Sequence, residues 1–228
     1  MNIALFGSGE FTPAVTPIDE YLITTFKPSS IAVIPTAAGK ERDAIKWLHA
    51  AERHYRAFDI RFIPVPIFNR ADADNAELVK PLSDADWIFF SGGSPSYLLS
   101  TLRGSLLWSM VSKRAAEGAL LAGSSAGAMV MGSYVLTNPF HDFKFDLKNG
   151  WEPAFGLVPQ AIIPHFDRWN SRLGAADKLM GHSPDVIKNA WMGIDEDTAL
   201  ITSGDDKVVM GVGGVTIHDG LKSHVMHH

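Results

Sequence analysis

The amino-acid sequence predicts an α/β fold in which a mostly parallel sheet carries helices on both faces. Short apolar runs alternate with longer segments of helical periodicity over the first two thirds of the 228 residues. This strand–helix–strand order is typical of parallel strands joined by right-handed crossovers. Three glycine-rich turns, "GSGE", "SGGS" and "GSSAG", each follow an apolar run. Because ligands bind outside the carboxyl ends of the strands in such sheets, we expect the three turns to line one crevice.

The predicted strands of the parallel sheet are short and apolar. Asn2–Phe6 runs into "GSGE", and the β-branched, apolar Ser30–Pro35 has the composition of a strand covered on both faces. Further strands are predicted at Asp59–Ile67, Trp87–Phe90, Ala119–Ala122 and Ala161–Ile163. Neither an internal repeat nor a linker-like change in composition is evident, so residues 1–228 are predicted to form one domain.

The predicted helices lie between these strands. Lys40–Phe58 has apolar residues at near-helical spacing with charged residues between them, as an amphipathic helix requires. Pro95–Leu102 and Leu106–Glu117 follow the "SGGS" turn, and Gly118 stands where a C-terminal cap is expected. Ala126–Met131 is predicted to begin a helix directly after the two serines of "GSSAG".

The pattern loosens after Gly132. Residues Thr137–Val158 are rich in glycine, proline and aromatic residues, which predicts a long loop or small subdomain that covers the neighbouring pocket. Four short strands with Gly/Asp turns between them are expected to add antiparallel to one sheet edge: Trp191–Ile194, Ala199–Ile201, Lys207–Gly211 and Val215–Ile217. The last three histidines, at positions 224, 227 and 228, are expected to form a disordered tail.

Composition and charge argue against several classes of function. The net charge of -5 and the isoelectric point near 6.0 leave no basic footprint for nucleic acid or an anionic membrane. The absence of cysteine excludes disulfides, thiolate metal sites and a cysteine nucleophile. The N-terminal apolar run lacks a basic segment before it and resembles a strand more than a signal peptide. No run is long enough to span a bilayer, and a cytoplasmic location is expected.

The stretch "LLAGSSAGAMVMG" has the pattern of a nucleophile elbow, in which a strand enters a helix through G-x-S-x-G. The serine of an elbow needs small residues two positions before and after it, because the strand and helix would otherwise collide. Ser125 has Gly123 and Gly127 at these positions, whereas Ser124 has two alanines. Ser125 is therefore the predicted nucleophile. The simpler alternative is that one of the two serines only caps the following helix.

A serine nucleophile needs a base, and the base needs an acid that orients it. His165, in "AIIPHFDRW", follows an apolar strand directly, which is a position from which catalytic histidines act. His141, in the irregular "NPFHDF" stretch, is the rival base. Three consecutive carboxylates in "GIDEDTALI", residues 195–197, stand at the end of another strand and offer the acid, although such a trio is otherwise a solvated turn.

Four motifs together resemble a known serine-peptidase family. "LAGSSAGAMVMG", "FFSGGSPSYLLSTL", "IIPHFDRWNSRL" and "GIDEDTAL" are similar, in order and comparable spacing, to the family of aspartyl dipeptidase and cyanophycinase. The resemblance covers most of the chain. It implies the fold of class I glutamine amidotransferases, a flavodoxin-like three-layer sandwich, with serine in place of their cysteine.

The resemblance also implies roles for individual residues. Ser125 corresponds to the nucleophile, His165 to the base and Glu196 to the acid, with the neighbouring Asp195 as the alternative acid. The "SGGS" turn corresponds to the family's oxyanion loop, so the backbone N–H groups of Gly93 and Ala126 are the expected oxyanion donors. The implied chemistry needs no metal and no organic cofactor.

The expected substrate is a small peptide, hydrolysed by a monomer or homodimer. The Pro-His-Phe stretch is similar to the dipeptidase branch, and the resemblance leaves open whether the substrate has an acidic or isoaspartyl N-terminal residue. Such a residue would need a cation near the crevice, and Arg168 and Arg172 are the candidates. Two other functions stay open: a serine hydrolase or amidohydrolase with a non-peptide acyl substrate, and a non-catalytic binding module. The absence of a third glycine in "GSGEF" argues against dinucleotide binding.

Overall fold

The computed structural model describes residues 1–137, 140–141, 144–145, 150–168, 183–220 and 222–227, with only the backbone described at 140–141 and 144–145. Its main sheet has seven strands in the order β13-β12-β1-β5-β4-β2-β3. These are β1 (Asn2–Phe6), β2 (Ser30–Ile34), β3 (Arg61–Pro64), β4 (Trp87–Phe90), β5 (Leu120–Ser124), β12 (Thr198–Ser203) and β13 (Asp206–Gly211). The first five are parallel, and β12 and β13 add antiparallel at one edge. The predicted fold class is therefore confirmed.

Helices connect the parallel strands. They are α1 (Thr16–Phe26), α2 (Lys46–Tyr55), α3 (Arg70–Ala73), α4 (Ala76–Val79), α5 (Pro95–Leu102), α6 (Leu106–Ala116), α7 (Ala126–Met129) and, later in the chain, α8 (Asp185–Lys188). Single 3-10 turns occur at Pro13–Val15, Thr36–Ala38 and Lys80–Asp84. The sequence pattern did not predict α1, whose β-branched residues lower its helix propensity. Burial of Ile18 and Leu22 stabilises it instead.

The strand side chains alternate between two apolar layers, one on each face of the sheet. Ile3 and Leu5 of β1 belong to the layer covered by α5 and α6, whereas Ala4 and Phe6 belong to the layer covered by α1 and α2. Because both layers are fully shielded from water, the parallel strands can be apolar throughout. This explains why the sequence shows continuous apolar runs rather than an alternating pattern.

A buried polar cluster joins α1 to α2 within the second layer. Asp19 of α1 accepts hydrogen bonds from the hydroxyl of Tyr55 at 3.2 Å and pairs with Nε2 of His54 at 2.7 Å. Burial raises the pKa of the Asp19 carboxyl, and the hydrogen bond to His54 opposes this effect. Burial and the neighbouring Asp19 raise the pKa of Tyr55 well above its ordinary value. The cluster satisfies polar groups that would otherwise destabilise this layer.

The prediction that all four later strands add to one edge of the main sheet is wrong for two of them. Only β12 and β13 join the main sheet, whereas Trp191–Ile194 and Val215–Ile217 lie in a second sheet of order β10-β11-β14-β15. Its strands are β10 (Ala161–Ile163), β11 (Ala190–Ile194), β14 (Gly214–Asp219) and β15 (Ser223–His227). His224 and His227 thus belong to β15, so the expectation of a disordered tail is wrong for them; residue 228 lies outside the described residues. Local sequence indicates a strand but not its distant partner, which explains both errors.

Four short strands, β6 to β9, form two small antiparallel pairs after α7. β6 (Tyr134–Leu136) pairs with β9 (Trp151–Pro153), and the two-residue strands β7 (Phe140–His141) and β8 (Lys144–Phe145) pair with each other. Within the predicted Thr137–Val158 stretch, residues 138–139, 142–143 and 146–149 lie outside the described residues, so a long loop or small subdomain there stays a prediction. Within the described part of the chain, no helix is both long and apolar enough to cross a membrane.

Candidate active site

The three glycine-rich turns lie side by side at the carboxyl end of the main sheet. β1, β5 and β4 are adjacent and parallel, with Phe6 in register with Ser124 and Phe90 in register with Gly123. The "GSGE", "GSSAG" and "SGGS" turns follow these three strands in that order. The expectation of one shared crevice therefore agrees with the topology.

The turn after β5 has a strained backbone at Ser125 and tightly packed glycines on both sides of it. Ser125 has φ 49° and ψ -110°, a strained conformation for a residue with a side chain. A Cβ atom at Gly123 would collide with the backbone of Gly127, and a Cβ atom at Gly127 would collide with the backbone of Phe90. Both flanking positions therefore require glycine, which is the steric condition that selected Ser125 over Ser124 in the sequence.

The turn after β10 brings His165 to this serine. Nε2 of His165 lies 3.1 Å from Oγ of Ser125. The next residue, Phe166, packs directly on Gly193 of β11, where a Cβ atom would collide with the ring. Since β10 and β11 are paired strands, the second sheet positions the turn that carries the imidazole. The side chain of the rival His141 is outside the described residues.

Glu196, between β11 and β12, contacts the other side of the same imidazole. Its Oε1 lies 2.9 Å from Nδ1 of His165, and its Oε2 accepts a hydrogen bond from Nε of Arg168 at 2.8 Å. Asp195 is directed elsewhere, since its Oδ2 accepts a hydrogen bond from the N–H of Gly214 at 2.8 Å. Of the two carboxylates that the sequence left open, Glu196 is the one that contacts the histidine.

The two backbone N–H groups expected to serve an oxyanion belong to Gly93, which is exposed, and to Ala126, which is buried. In the described part of the chain, neither the N–H of Gly93 nor that of Ala126 has a hydrogen-bond acceptor. Ala126 is the first residue of α7, where helical N–H groups have no partner within the helix. Gly93 lines the same pocket as Ser125 and His165. These are the two donors that the resemblance implied.

Glu10, the last residue of "GSGE", is a site residue that sequence reasoning missed. Its Oε1 accepts a hydrogen bond from the N–H of Gly92 at 2.7 Å, and its Oε2 accepts one from Oγ of Ser124 at 2.5 Å. Ser124 is fully buried. One carboxylate thus joins the turns that follow β4 and β5. An acidic residue at the end of a glycine-rich turn was the only signal in the sequence.

Of the two arginines predicted to bind substrate, the structure describes one. Arg168 lies beside the site, and its Nε is hydrogen-bonded to Glu196. Arg172 lies outside the described residues. Substrate binding by either arginine therefore stays a prediction. The described residues contain no cluster of three or more His, Cys, Asp or Glu side chains that could hold a metal ion.

Comparison of the sequence with known families and proteins gives consistent matches. The profile of peptidase family S51 matches residues 3–210. The cyanophycinase of Synechococcus elongatus is 30% identical over 198 residues, which cover 83% of this chain and 58% of that protein. The cyanophycinase of a Nostoc species is 29% identical over 161 residues, covering 67% of this chain and 51% of that protein. The chain thus spans little more than half the length of these relatives.

Solved structures have the same architecture. A peptidase from an acI-B1 Actinobacterium superposes with a TM-score of 0.83 at 32% identity, covering 99% of this chain and 93% of that one. A putative peptidase E protein from Listeria monocytogenes superposes with a TM-score of 0.65 at 18% identity, covering 93% of this chain and 98% of that one. At that identity, the second match supports the fold alone.

Proposed function

Because this chain belongs to peptidase family S51, we propose that it is a serine peptidase that hydrolyses short peptides through an acyl-enzyme. One observation carries the proposal: Ser125, His165 and Glu196 form a continuous chain of side-chain contacts, at 3.1 Å and 2.9 Å. In this arrangement a hydroxyl faces an imidazole whose second nitrogen faces a carboxylate. These are the relative positions of nucleophile, base and orienting acid in serine hydrolases.

In the first step, Oγ of Ser125 attacks the carbonyl carbon of the scissile peptide bond. Nε2 of His165 accepts the hydroxyl proton as the new C–O bond forms. Glu196 accepts a hydrogen bond from Nδ1–H, which leaves the lone pair of Nε2 directed at the serine and stabilises the imidazolium that develops. The strained backbone of Ser125 holds the hydroxyl at the tip of the turn, so little reorganisation precedes the attack.

The carbonyl oxygen becomes negatively charged as the tetrahedral intermediate forms. The N–H groups of Gly93 and Ala126 are the proposed donors to this oxygen, and one such donor typically contributes about 3 kcal/mol to lowering the barrier. Their lack of an acceptor among the described residues supports this role, because a donor already used within the fold could not serve the oxyanion.

Collapse of the intermediate breaks the C–N bond. The imidazolium of His165 gives its proton to the leaving amine, and the acyl group stays on Ser125 as an ester. Water then attacks the ester carbonyl while Nε2 of His165 removes its proton. The bond between the carbonyl carbon and Oγ of Ser125 breaks, His165 returns the proton to Oγ, and the carboxylic acid product leaves. We propose short peptides as substrates because β6 and β9, through Leu136 and Trp151, form part of the pocket wall.

A covalent labelling experiment tests this function without knowledge of the substrate. A fluorophosphonate should add to the native protein at one site, because only an activated serine attacks it readily. We expect intact-mass analysis to show a single adduct, and peptide mapping to place it at Ser125. The urea-denatured protein is the control and should stay unlabelled. Absence of an adduct, or an adduct on another residue, would contradict the proposal.

A further inference from the structure

Glu10 joins two loops of the site through a single carboxylate. Its Oε1 accepts a hydrogen bond from the N–H of Gly92 at 2.7 Å, and its Oε2 accepts one from Oγ of Ser124 at 2.5 Å. Each partner directly precedes a residue of the proposed reaction, since Gly93 follows Gly92 and Ser125 follows Ser124. An ionised carboxylate can only accept hydrogen bonds, and both of its oxygens are used here to hold the site.

The loop that carries Gly93 is held on both sides of this residue. Before it, the N–H of Gly92 is bonded to Glu10. After it, the N–H of Ser94 donates to the carbonyl oxygen of Ala37 at 2.8 Å. A Cβ atom on Gly93 would lie 2.5 Å from the carbonyl group of Ala37, so the loop packs closely on that residue. The position of the Gly93 N–H therefore depends on both anchors.

The nucleophile is held from the same side of the sheet. Ser125 has a positive φ of 49°, and a strained residue of this kind keeps its conformation only where its surroundings hold it. Its N–H donates to the carbonyl oxygen of Phe6 in β1 at 3.1 Å. The fully buried hydroxyl of Ser124 donates to Glu10, in the turn that follows β1. Two successive residues of the strained turn are thus bonded to β1 and its turn.

Gly92 fills the space between the carboxylate and the nucleophile. This residue is buried, and a Cβ atom on it would lie 2.8 Å from Oε1 of Glu10 and 3.4 Å from Cβ of Ser125. The carboxylate, the glycine and the nucleophile are therefore packed in direct succession. A displacement of Glu10 changes the packing immediately beside Ser125.

We propose that Glu10 is a positioning residue that sets the distance between the N–H of Gly93 and Oγ of Ser125. An oxyanion donor is effective only at hydrogen-bond distance from the oxygen that gains charge, and that oxygen is bonded to the carbon that Ser125 attacks. A carboxylate that holds both loops fixes these two points together. The inference rests on the proposed function, because it takes Ser125 as the nucleophile and Gly93 as a donor.

Two substitutions separate the length of the Glu10 side chain from its charge. Glu10→Gln keeps the length: its amide oxygen can accept from the N–H of Gly92, and its NH₂ can donate to Oγ of Ser124. Glu10→Asp keeps the charge but is one methylene shorter, so it cannot reach both groups. A negative charge near the developing oxyanion is itself unfavourable. Positioning therefore ranks Gln above Asp, whereas a role for the charge ranks Asp above Gln.

The rate of fluorophosphonate labelling measures the effect without a known substrate. The phosphoryl oxygen gains negative charge when Ser125 attacks, so this reaction needs the same donors. Glu10→Ala should lower the maximal labelling rate by about 10- to 100-fold, since a small displacement of catalytic groups can cost that much. The half-saturating probe concentration should change little. We expect Glu10→Gln to stay within about threefold of wild type and Glu10→Asp to lose at least about tenfold.

Glu117→Ala is the matched control for Glu10→Ala. Glu117 accepts a hydrogen bond from Nη1 of Arg114 at 2.6 Å and stands shortly before β5, at the opposite end of that strand from Ser124. The substitution removes the same atoms from another hydrogen-bonded carboxylate, so the labelling rate should stay at the wild-type value. Equal losses in the two variants would overturn the inference.

Two double-mutant cycles test whether Glu10 acts through its two partners. The effect of Ser124→Ala on the labelling rate should largely disappear in the Glu10→Ala background, since the two residues share one contact. Gly92→Ala should displace the carboxylate and slow labelling in the wild type. In the Glu10→Ala background it should have little effect, because the 3.4 Å contact with Ser125 is an ordinary one. Additive effects in either cycle would contradict the inference.

A purely structural role for Glu10 predicts a different result. Glu10→Ala would then lower the melting temperature, because the buried hydroxyl of Ser124 loses its partner, but would leave the labelling rate unchanged well below that temperature. That result, with the wild type labelled at Ser125, would overturn the inference alone. Failure of the wild type to label would instead overturn the proposed function.

Circular dichroism at the labelling temperature verifies that each variant is folded. If Glu10→Ala does not fold, the order of the Gln and Asp variants decides, since both keep a polar side chain at this position. Faster labelling of Glu10→Asp than of Glu10→Gln would show that Glu10 does not act by positioning.

Discussion

Ser125→Ala is expected to lower kcat for peptide hydrolysis by about 10⁴-fold or more, the size of loss seen when a serine nucleophile is removed from a catalytic triad. Without Oγ there is no atom to form the acyl-enzyme, and only binding and the oxyanion donors remain. The substitution removes one oxygen from a position that is partly exposed, so the free energy of unfolding should change little. Steady-state kinetics of the purified variant measure the effect.

Ser124→Ala is the matched control, because it removes the same atom from the preceding residue. Its hydroxyl donates to Glu10 and is fully buried, so we expect a loss of at most about tenfold in kcat. Fluorophosphonate labelling should survive in Ser124→Ala and vanish in Ser125→Ala. Equal losses in the two variants, or retention of activity by Ser125→Ala, would show that the nucleophile has been assigned to the wrong residue.

The sequence was sufficient for the parallel strands, though not for α1, α3 and α4 between them, because the signal for each strand is local. Each of these strands is a short apolar run, and the helices after β4 begin and end close to where the pattern predicts. Trp191–Ile194 was recognised as a strand for the same reason, but its partners, β10 and β14, could not be predicted. Strand pairing depends on contacts between distant residues, which a local pattern does not contain.

Site residues, too, could be predicted where the signal is local in sequence and were missed where it depends on distant residues. Ser125 could be selected from sequence because the two glycines that mark it, Gly123 and Gly127, lie within five residues, even though the group that Gly127 must avoid belongs to the distant Phe90. Glu10 could not, since it bonds Gly92 and Ser124, which are 82 and 114 residues away along the chain. The choice of Glu196 over Asp195 rested on resemblance, and the structure adds a physical reason: Asp195 holds the first residue of β14 instead.

The second prediction with a large effect concerns Glu196. Its two oxygens face different groups, with Oε1 on Nδ1 of His165 and Oε2 on Nε of Arg168. An arginine can only donate hydrogen bonds, so it requires an acceptor on that side. In Glu196→Gln the amide oxygen should therefore turn to Arg168, and the amide NH₂ should face the histidine. Nδ1 must then accept, which puts the imidazole proton on Nε2.

A proton on Nε2 prevents His165 from accepting the proton of Ser125. We therefore expect Glu196→Gln to lower kcat by about 10⁴-fold, as the equivalent amide substitution does in a serine protease through the wrong tautomer. Asp195→Asn is the matched control: its side-chain oxygen can still accept from the N–H of Gly214, so kcat should stay within about threefold of wild type. A larger loss in Asp195→Asn than in Glu196→Gln would contradict the assignment of the acid.

Substitution of Arg168 tests directly whether the loss in Glu196→Gln arises from the tautomer of His165. If the arginine determines which way the amide faces, then Arg168→Ala in the Glu196→Gln background should free the amide to rotate. Its oxygen could then accept from Nδ1–H, the correct tautomer could form, and kcat should rise above that of the single Glu196→Gln variant. Arg168→Ala alone should lower kcat, because the carboxylate loses its second hydrogen bond. A double variant less active than Glu196→Gln would show that the loss does not arise from the tautomer of His165.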